Sequence, residues 1–286
     1  MKQRPSSLFK YRPINLYTLE SIRDNYLYFN EASMFNDPFD CMLNIYYDGG
    51  GKDFDSYFTR MGLDNIPDKN QMKEALKNYG SRCSLAFRNK TLVNQRILSL
   101  SSKNDEILLW SHYADEHKGI CLEYETLEMY DDNKSIHGIY FDPLQVNYRN
   151  ETLATNNLLF ASKVNYDDKL PKKHNLLTGD QSEFIKKLED FIFTKYSKWN
   201  YEEEWRIFLH KENISSNNCV KLAPSILKGI IFGMRTTKRD IINVQTFLSQ
   251  NQNTSNVKIS KTIPQPNSYA INIKKYDSFS KLLEDD

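Results

Sequence analysis

The amino-acid sequence predicts an α+β fold, with mixed, largely antiparallel sheets flanked by helices in one compact domain spanning 1–286. Three observations carry this. Short apolar runs with strand character, at 97–100, 120–122, 205–209 and 228–232, recur between segments of helical spacing. The two kinds mix without the strand–helix–strand rhythm of a doubly wound parallel sheet. The 18 Tyr and 16 Phe, in a chain that is 13% aromatic, suit half-buried strands and a pocket that stacks a planar ligand.

Residues 8–11 (Leu-Phe-Lys-Tyr) read as the first strand, broken by Pro13, after which Asn15 caps a helix presenting Leu16, Leu19 and Ile22. Tyr26 to Phe29 form a short aromatic strand. FNDPFD (Phe35 to Asp40) is a turn, because Asn36 and Asp37 favour side-chain bonds to their own backbone and Pro38 fixes its φ. Gly49-Gly50-Gly51 is a flexible joint without the GK[ST] ending of a phosphate loop. Two short helices over 53–80 part near Ile66-Pro67-Asp68, and Cys83 to Phe87 read as a strand.

The most informative stretch, Leu98 to Glu125, joins a strand (Ile97, Leu98, Leu100), one helix, a glycine stop and a second strand (Ile120, Cys121, Leu122). Asn104 or Asp105 caps the helix, which runs from Glu106 to His117 and sets Ile107, Trp110, Ala114 and His117 on one arc. Leu108 and Leu109 widen the apolar surface, so burial on most sides is expected. Lys118-Gly119 ends it. A buried helix carrying Ser111, His112, Tyr113 and His117 must find partners for those groups, which marks it as the floor of a site.

Strands follow near Ile136 to Phe141 and Leu144 to Tyr148, then a polar helix and loop around 150–180. Asp180 and Glu183 open a helix carrying Phe184, Leu188, Phe191, Ile192 and Lys195. Pro224 sits in the first turn of a brief helix, and Lys228 to Phe232 is a core strand. Thr237 caps a helix with Ile241, Ile242, Val244 and Phe247. Strands at Val257 to Ile259 and Tyr269 to Ile273 close the same unit, with no repeat and no linker.

Charge is balanced, 38 basic against 37 acidic residues, which removes any global field toward nucleic acid or anionic membrane. The four cysteines (Cys41, Cys83, Cys121, Cys219) are scattered, as free thiols of a reducing compartment are. No signal-peptide core or membrane-length apolar run occurs, so a soluble cytoplasmic protein is expected.

Two blocks carry candidate chemistry. In Trp199 to Phe208 (WNYEEEWRIF), Trp205, Ile207 and Leu209 alternate toward a core, leaving Glu202, Glu204, Arg206 and Phe208 on the other face. That row reads as a solvated face with an ion pair, or as carboxylates against an aromatic wall whose pKa is raised for acid–base work. In FNDPFD, Asp37 and Asp40 suit turn chemistry better than a hard cation. His112 and His117 diverge by roughly 140° on a helix, so they do not share a zinc, and no metal is expected. His112 reads equally as a structural histidine and as a ligand contact or acid.

Serine-rich strand, LLWSHYA, HKG and second strand form a signature, joined in order by FKYR (Phe9 to Arg12), FNDPFD and WNYEEEWRIF. By these blocks the chain resembles a widespread bacterial family of unknown function, with blocks over about 9–233. In outline it also resembles the ADP-ribosyltransferases, which bind NAD in a cleft between two small sheets. That likeness implies an enzyme that cleaves NAD and transfers ADP-ribose to an unknown acceptor, in a toxin or antiphage setting. Glu204, or else Glu202, is then the catalytic carboxylate that steadies an oxocarbenium-like transition state. Lys10, Tyr11 or Arg12 hold the diphosphate or adenosine ribose, and Tyr113 stacks on nicotinamide. Ser99, Ser101 and Ser102 brace the glutamate and ribose, and His112 and Arg206 complete the cofactor-binding set. The sequence departs from that group in lacking a Ser-Thr-Ser triplet and a first-strand histidine. The alternatives are a non-catalytic nucleotide-sensing or interaction module and, more weakly, a metal-dependent nuclease using Asp37, Asp40 and Glu204. The partner implied is a nucleotide small molecule.

Overall fold

The computed structural model describes residues 5–42, 45–46, 51–60, 68–82, 92–131, 134–140, 158–170, 174–175, 190–214, 216–223, 225–252 and 256–285. The strands expected at Cys83 to Phe87 and Leu144 to Tyr148, and the helix start at Asp180, lie outside these residues. The strands are β1 Ser7–Arg12, β2 Tyr26–Tyr28, β3 Ile45–Tyr46, β4 Gln95–Ser101, β5 Ile120–Glu125, β6 Leu127–Asp131, β7 Lys134–Tyr140 and β8 Leu158–Lys163. They continue with β9 Asn165–Asp167, β10 His174–Asn175, β11 Thr194–Tyr196, β12 Glu204–His210, β13 Cys219–Lys221, β14 Leu227–Phe232, β15 Lys258–Pro264 and β16 Ile271–Tyr276. The helices are α1 Leu16–Arg23, α2 Gly51–Arg60, α3 Lys69–Arg82, α4 Ile107–Tyr113, α5 Lys238–Ser249 and α6 Phe279–Asp285.

The fold class is α+β, as expected. The chain forms two units, one of Met1–Asn30, Gln95–Lys163 and Asn200–Asp286, the other of Glu31–Asn94 and Val164–Trp199. The first holds a ten-stranded sheet in the order β16-β15-β14-β5-β1-β4-β12-β8-β7-β6, antiparallel except at β14–β15. Alternation along the strands builds a core on each face. Leu8, Leu98, Leu100, Ile120, Leu122, Ile207, Ile230 and Phe232 point to one side, with Leu19 and Ile22 of α1 and Ile241 and Val244 of α5. Phe9, Tyr11, Cys121 and Ile231, their odd-parity neighbours, point to the other, with Leu109 and Trp110 of α4. The caps follow the sequence: Asn15 accepts from Thr18 N, and Thr237 from Asp240 N.

The second unit contains α2, α3 and two parallel strand pairs, β3–β10 and β9–β11. Asp68 accepts from Gln71 N at the start of α3, so the break near Pro67 falls where expected. Residues 158–163 are a strand rather than part of a polar helix and loop. Pairing with β7 and β12 overrides their weak alternation. Lys195 belongs to a strand as well: helix ends at Ile192, and Thr194–Tyr196 pairs with β9.

Among the described residues no helix is long and apolar enough to cross a membrane. Trp110 has no exposed surface and packs edge-on to Tyr11, with ring centroids 5.2 Å apart. Its Nε1–H donates to Asn104 O at 2.9 Å. Trp110→Ala is expected to cost about 3–5 kcal/mol, the scale of deleting a large core aromatic, and an unchanged denaturation midpoint contradicts it.

Candidate functional site

Strand pairing in the larger unit brings the first, central and late blocks side by side. β1 meets β4 at Phe9↔Ser101 alone, while β1 pairs with β5 over six residues and β4 with β12 over seven. The sheet therefore parts between β1 and β4, and Ser101 stands in one row with Phe9 and Glu204. Lys10 spans the parting: its Nζ donates to Ser99 O at 2.6 Å. Burial and then the Arg12 charge lower the Lys10 pKa to about 8, against the opposing pull of Glu204 and Glu202.

The late block bends where alternation was expected to continue. Ser197–Glu202 is a 3₁₀ helix, Glu203 takes φ 43°, and the strand begins only at Glu204. Glu202 thus leaves the strand face, while Glu204 and Arg206 remain on it. Three glutamates in a row hold no glycine or asparagine to signal such a break. Arg206, with no exposed surface, binds Glu204 bidentately, Nε to Oε1 at 2.7 Å and Nη2 to Oε2 at 2.9 Å. Glu202 is also buried, and the Tyr113 hydroxyl donates to its Oε1 at 2.7 Å. Ser101 Oγ donates to Glu202 O at 2.6 Å and accepts from Lys103 N, and Ser102 Oγ donates to Glu203 O at 3.3 Å. These serines brace the backbone of the bend. Outside it, Glu203 pairs with Lys163 at 2.6 Å, a contact between residues 40 apart that no spacing signals.

Other expected site residues lie elsewhere. Tyr11 is buried against Trp110 and donates to Lys103 O, and burial holds its phenol protonated well above the usual range. Arg12 ends β1, partly buried, with its charge felt at Tyr26, Tyr124 and Cys219. His112 is exposed and only edges Tyr113, with centroids 6.3 Å apart. The expectation that it is buried fails because α4 is covered on one side only; Leu108 is 42% exposed as well. Asp37 forms the turn read from FNDPFD, accepting from Phe39 N at 2.8 Å. Among the described residues no group of three or more His, Cys, Asp and Glu is placed to hold a metal.

The helix is also shorter than expected. It is capped by Glu106 rather than Asn104 or Asp105, and ends at Tyr113. Asp115, Glu116 and His117 follow with φ of 46°, 51° and 69°, a left-handed turn rare outside glycine. That turn folds His117 back onto Trp110, stacked at 6.4 Å. Ser111 donates its only proton to Ile107 O, so the 3.1 Å contact with His117 requires a proton on Nε2. Buried Nδ1 is then a bare acceptor without a partner, in keeping with a pKa lowered by burial and by Arg235. Gly233 allows the close approach: a Cβ there would sit 2.0 Å from His117 O.

The larger unit is thus an α+β sheet protein with a buried carboxylate and lysine cluster at a parting of its strands. Residues 109–207 match the family described as "Protein of unknown function (DUF2971)", in keeping with the resemblance that the signature blocks carry. No curated protein and no solved structure matches the chain.

Folded Lys10 loses its proton near pH 8, against an ordinary 10.5. Between these values the unfolded chain binds more protons, so stability rises with pH. The unfolding free energy of the wild type, measured relative to Lys10→Met, should increase from pH 8 toward 10.5, and a flat difference contradicts this. Glu204→Gln removes the charge that Arg206 meets at both carboxylate oxygens and is expected to destabilise by about 3–5 kcal/mol. Chemical denaturation checks it against Glu203→Gln, which weakens the part-exposed pair with Lys163 and should cost less than about 1 kcal/mol.

Proposed function

We propose that this cluster is the active site of an ADP-ribosyltransferase-like enzyme that cleaves NAD and passes ADP-ribose to an acceptor. The observation that carries the reading is the row Phe9–Ser101–Glu204 at the point where the sheet parts. It joins a first strand ending in polar residues, a serine strand leading to an aromatic helix, and a late strand opening on glutamates. Cleavage of the nicotinamide–ribose bond builds positive charge on the ribose, which a nearby carboxylate stabilises.

Of the two buried carboxylates, Glu202 is the better placed to do so. Both Glu204 oxygens are held by Arg206, whose charge cancels most of the field a cationic ribose needs. Glu202 accepts at Oε1 from the Tyr113 hydroxyl, a bond that a ribose hydroxyl can replace with little change in energy. Tyr113, once displaced, is beside the nicotinamide, and Lys10 supplies a cation for the diphosphate. Glu204–Arg206 holds the strand start that fixes Glu202, so it acts as a positioning pair.

Glu202→Gln keeps the size of the side chain but removes its charge. Nicotinamide release, assayed with cell extract as acceptor source, should fall about a hundredfold or more. NAD binding by calorimetry should change little, because the lost charge matters mainly in the transition state. Full turnover in Glu202→Gln with loss in folded Glu204→Gln would move the role to Glu204. Tight NAD binding without turnover in the wild type favours a sensing module, and no NAD binding by folded protein ends the nucleotide reading.

A further inference from the structure

FNDPFD has no part in the cluster above. It lies in the smaller unit, where its turn buries Asp40 and leaves Phe39 64% exposed. Phe39 and Met42 form one wall of a cavity of about 320 Å³. Leu170 and Tyr196 form further apolar lining; they are 47% and 46% exposed, so three large apolar side chains surround one opening. Sulfur and aromatic carbon suit a flat apolar group, and the volume matches a small-molecule site.

The charges on the lining select among such groups. Lys195, buried, also lines the cavity, but Asp40 stands 3.5 Å from its Nζ, which lies 5.1 Å from the Trp199 ring centre. Its charge is met from within. Asp167 and Asp168 are exposed at the opening, where Asp167 accepts from Lys169 N and Asp168 from the Ser197 hydroxyl. Each carboxylate keeps its negative charge in such bonds and can accept more. Among the described residues of the lining, the exposed Asp167 and Asp168 stand against one exposed cation, Lys169, so this part of the lining is acidic.

We propose that this cavity binds an arylalkyl ammonium group, with the ring between Phe39, Met42, Leu170 and Tyr196 and the ammonium at Asp167 and Asp168. The group can be a free aromatic amine or the amino terminus of a peptide that begins with an aromatic residue. The assignment does not depend on the NAD reading of the larger unit.

The test is an NMR titration of the full chain with tryptamine, N-acetyltryptamine and indole-3-propionate, which share a ring and differ in charge. Tryptamine should bind at least about fivefold more tightly than either analogue, the scale of one partly exposed ion pair. Phe39→Ala and Asp168→Asn alter exposed side chains, leave the fold intact, and should each weaken tryptamine by a similar factor. The peptide Trp-Gly-Gly, with and without an acetylated amino terminus, separates the two sources. Tighter binding of the unblocked peptide than of tryptamine identifies a peptide ligand, and the reverse a free amine. No saturable binding to folded wild type, equal affinity for the three indoles, or binding unmoved by Phe39→Ala would overturn the assignment.

Discussion

A guanidinium with no exposed surface requires a carboxylate beside it, and much of the larger unit follows from that requirement at Arg206. Glu204, two residues earlier on the same strand face, meets it through both oxygens. The pair fixes where β12 begins, so the chain before it must turn, and it does so at Glu203 with positive φ. Glu202 then leaves the strand row and meets Tyr113 from the end of α4. Ser101 and Ser102 hold the bend through its carbonyls, which ties β4 to the same point. One buried ion pair thus sets the geometry of both glutamates and of the helix end that faces them.

Much of this fold was legible in the sequence, because its core strands are buried on alternate residues and its helices start at ordinary caps. Leu8, Phe9 and Tyr11 alternate between two cores, as do Cys121 and Leu122, and Asn15 and Thr237 cap where short polar side chains should. What the sequence hid are features set by tertiary pairing or by unusual backbone. Residues 158–163 are strand because β12 and β7 flank them. The turn Asp115–His117 is left-handed although none of its residues is glycine. The His117 ring stacks on Trp110 and bonds Ser111, which holds it there. Helical phasing placed Trp110 and His117 on one arc, and they do meet, but through that turn rather than along a helix.

The candidate site was legible in part. Lys10, Ser99, Ser101, Tyr113, Glu202, Glu204 and Arg206 come together from segments far apart in the chain. Tyr11 is committed to packing, and His112 faces solvent. The difference lies in what each side chain meets across the sheet, which alternation along one strand does not specify. The blocks that stand out in the sequence divide between the units: FNDPFD belongs to the smaller one, while the serine strand, LLWSHYA and the strand WRIF belong to the larger.

The central claim is that the parting of β1 from β4 receives a nucleotide. Amide hydrogen exchange of the full chain with and without NAD tests it most directly, since exchange reports local opening segment by segment. The account predicts added protection at 9–12, 99–103, 111–114 and 200–206, with residues 165–170 and 194–196 unchanged. Protection absent from those four segments at saturating NAD, in a chain that is otherwise fully folded, would contradict it.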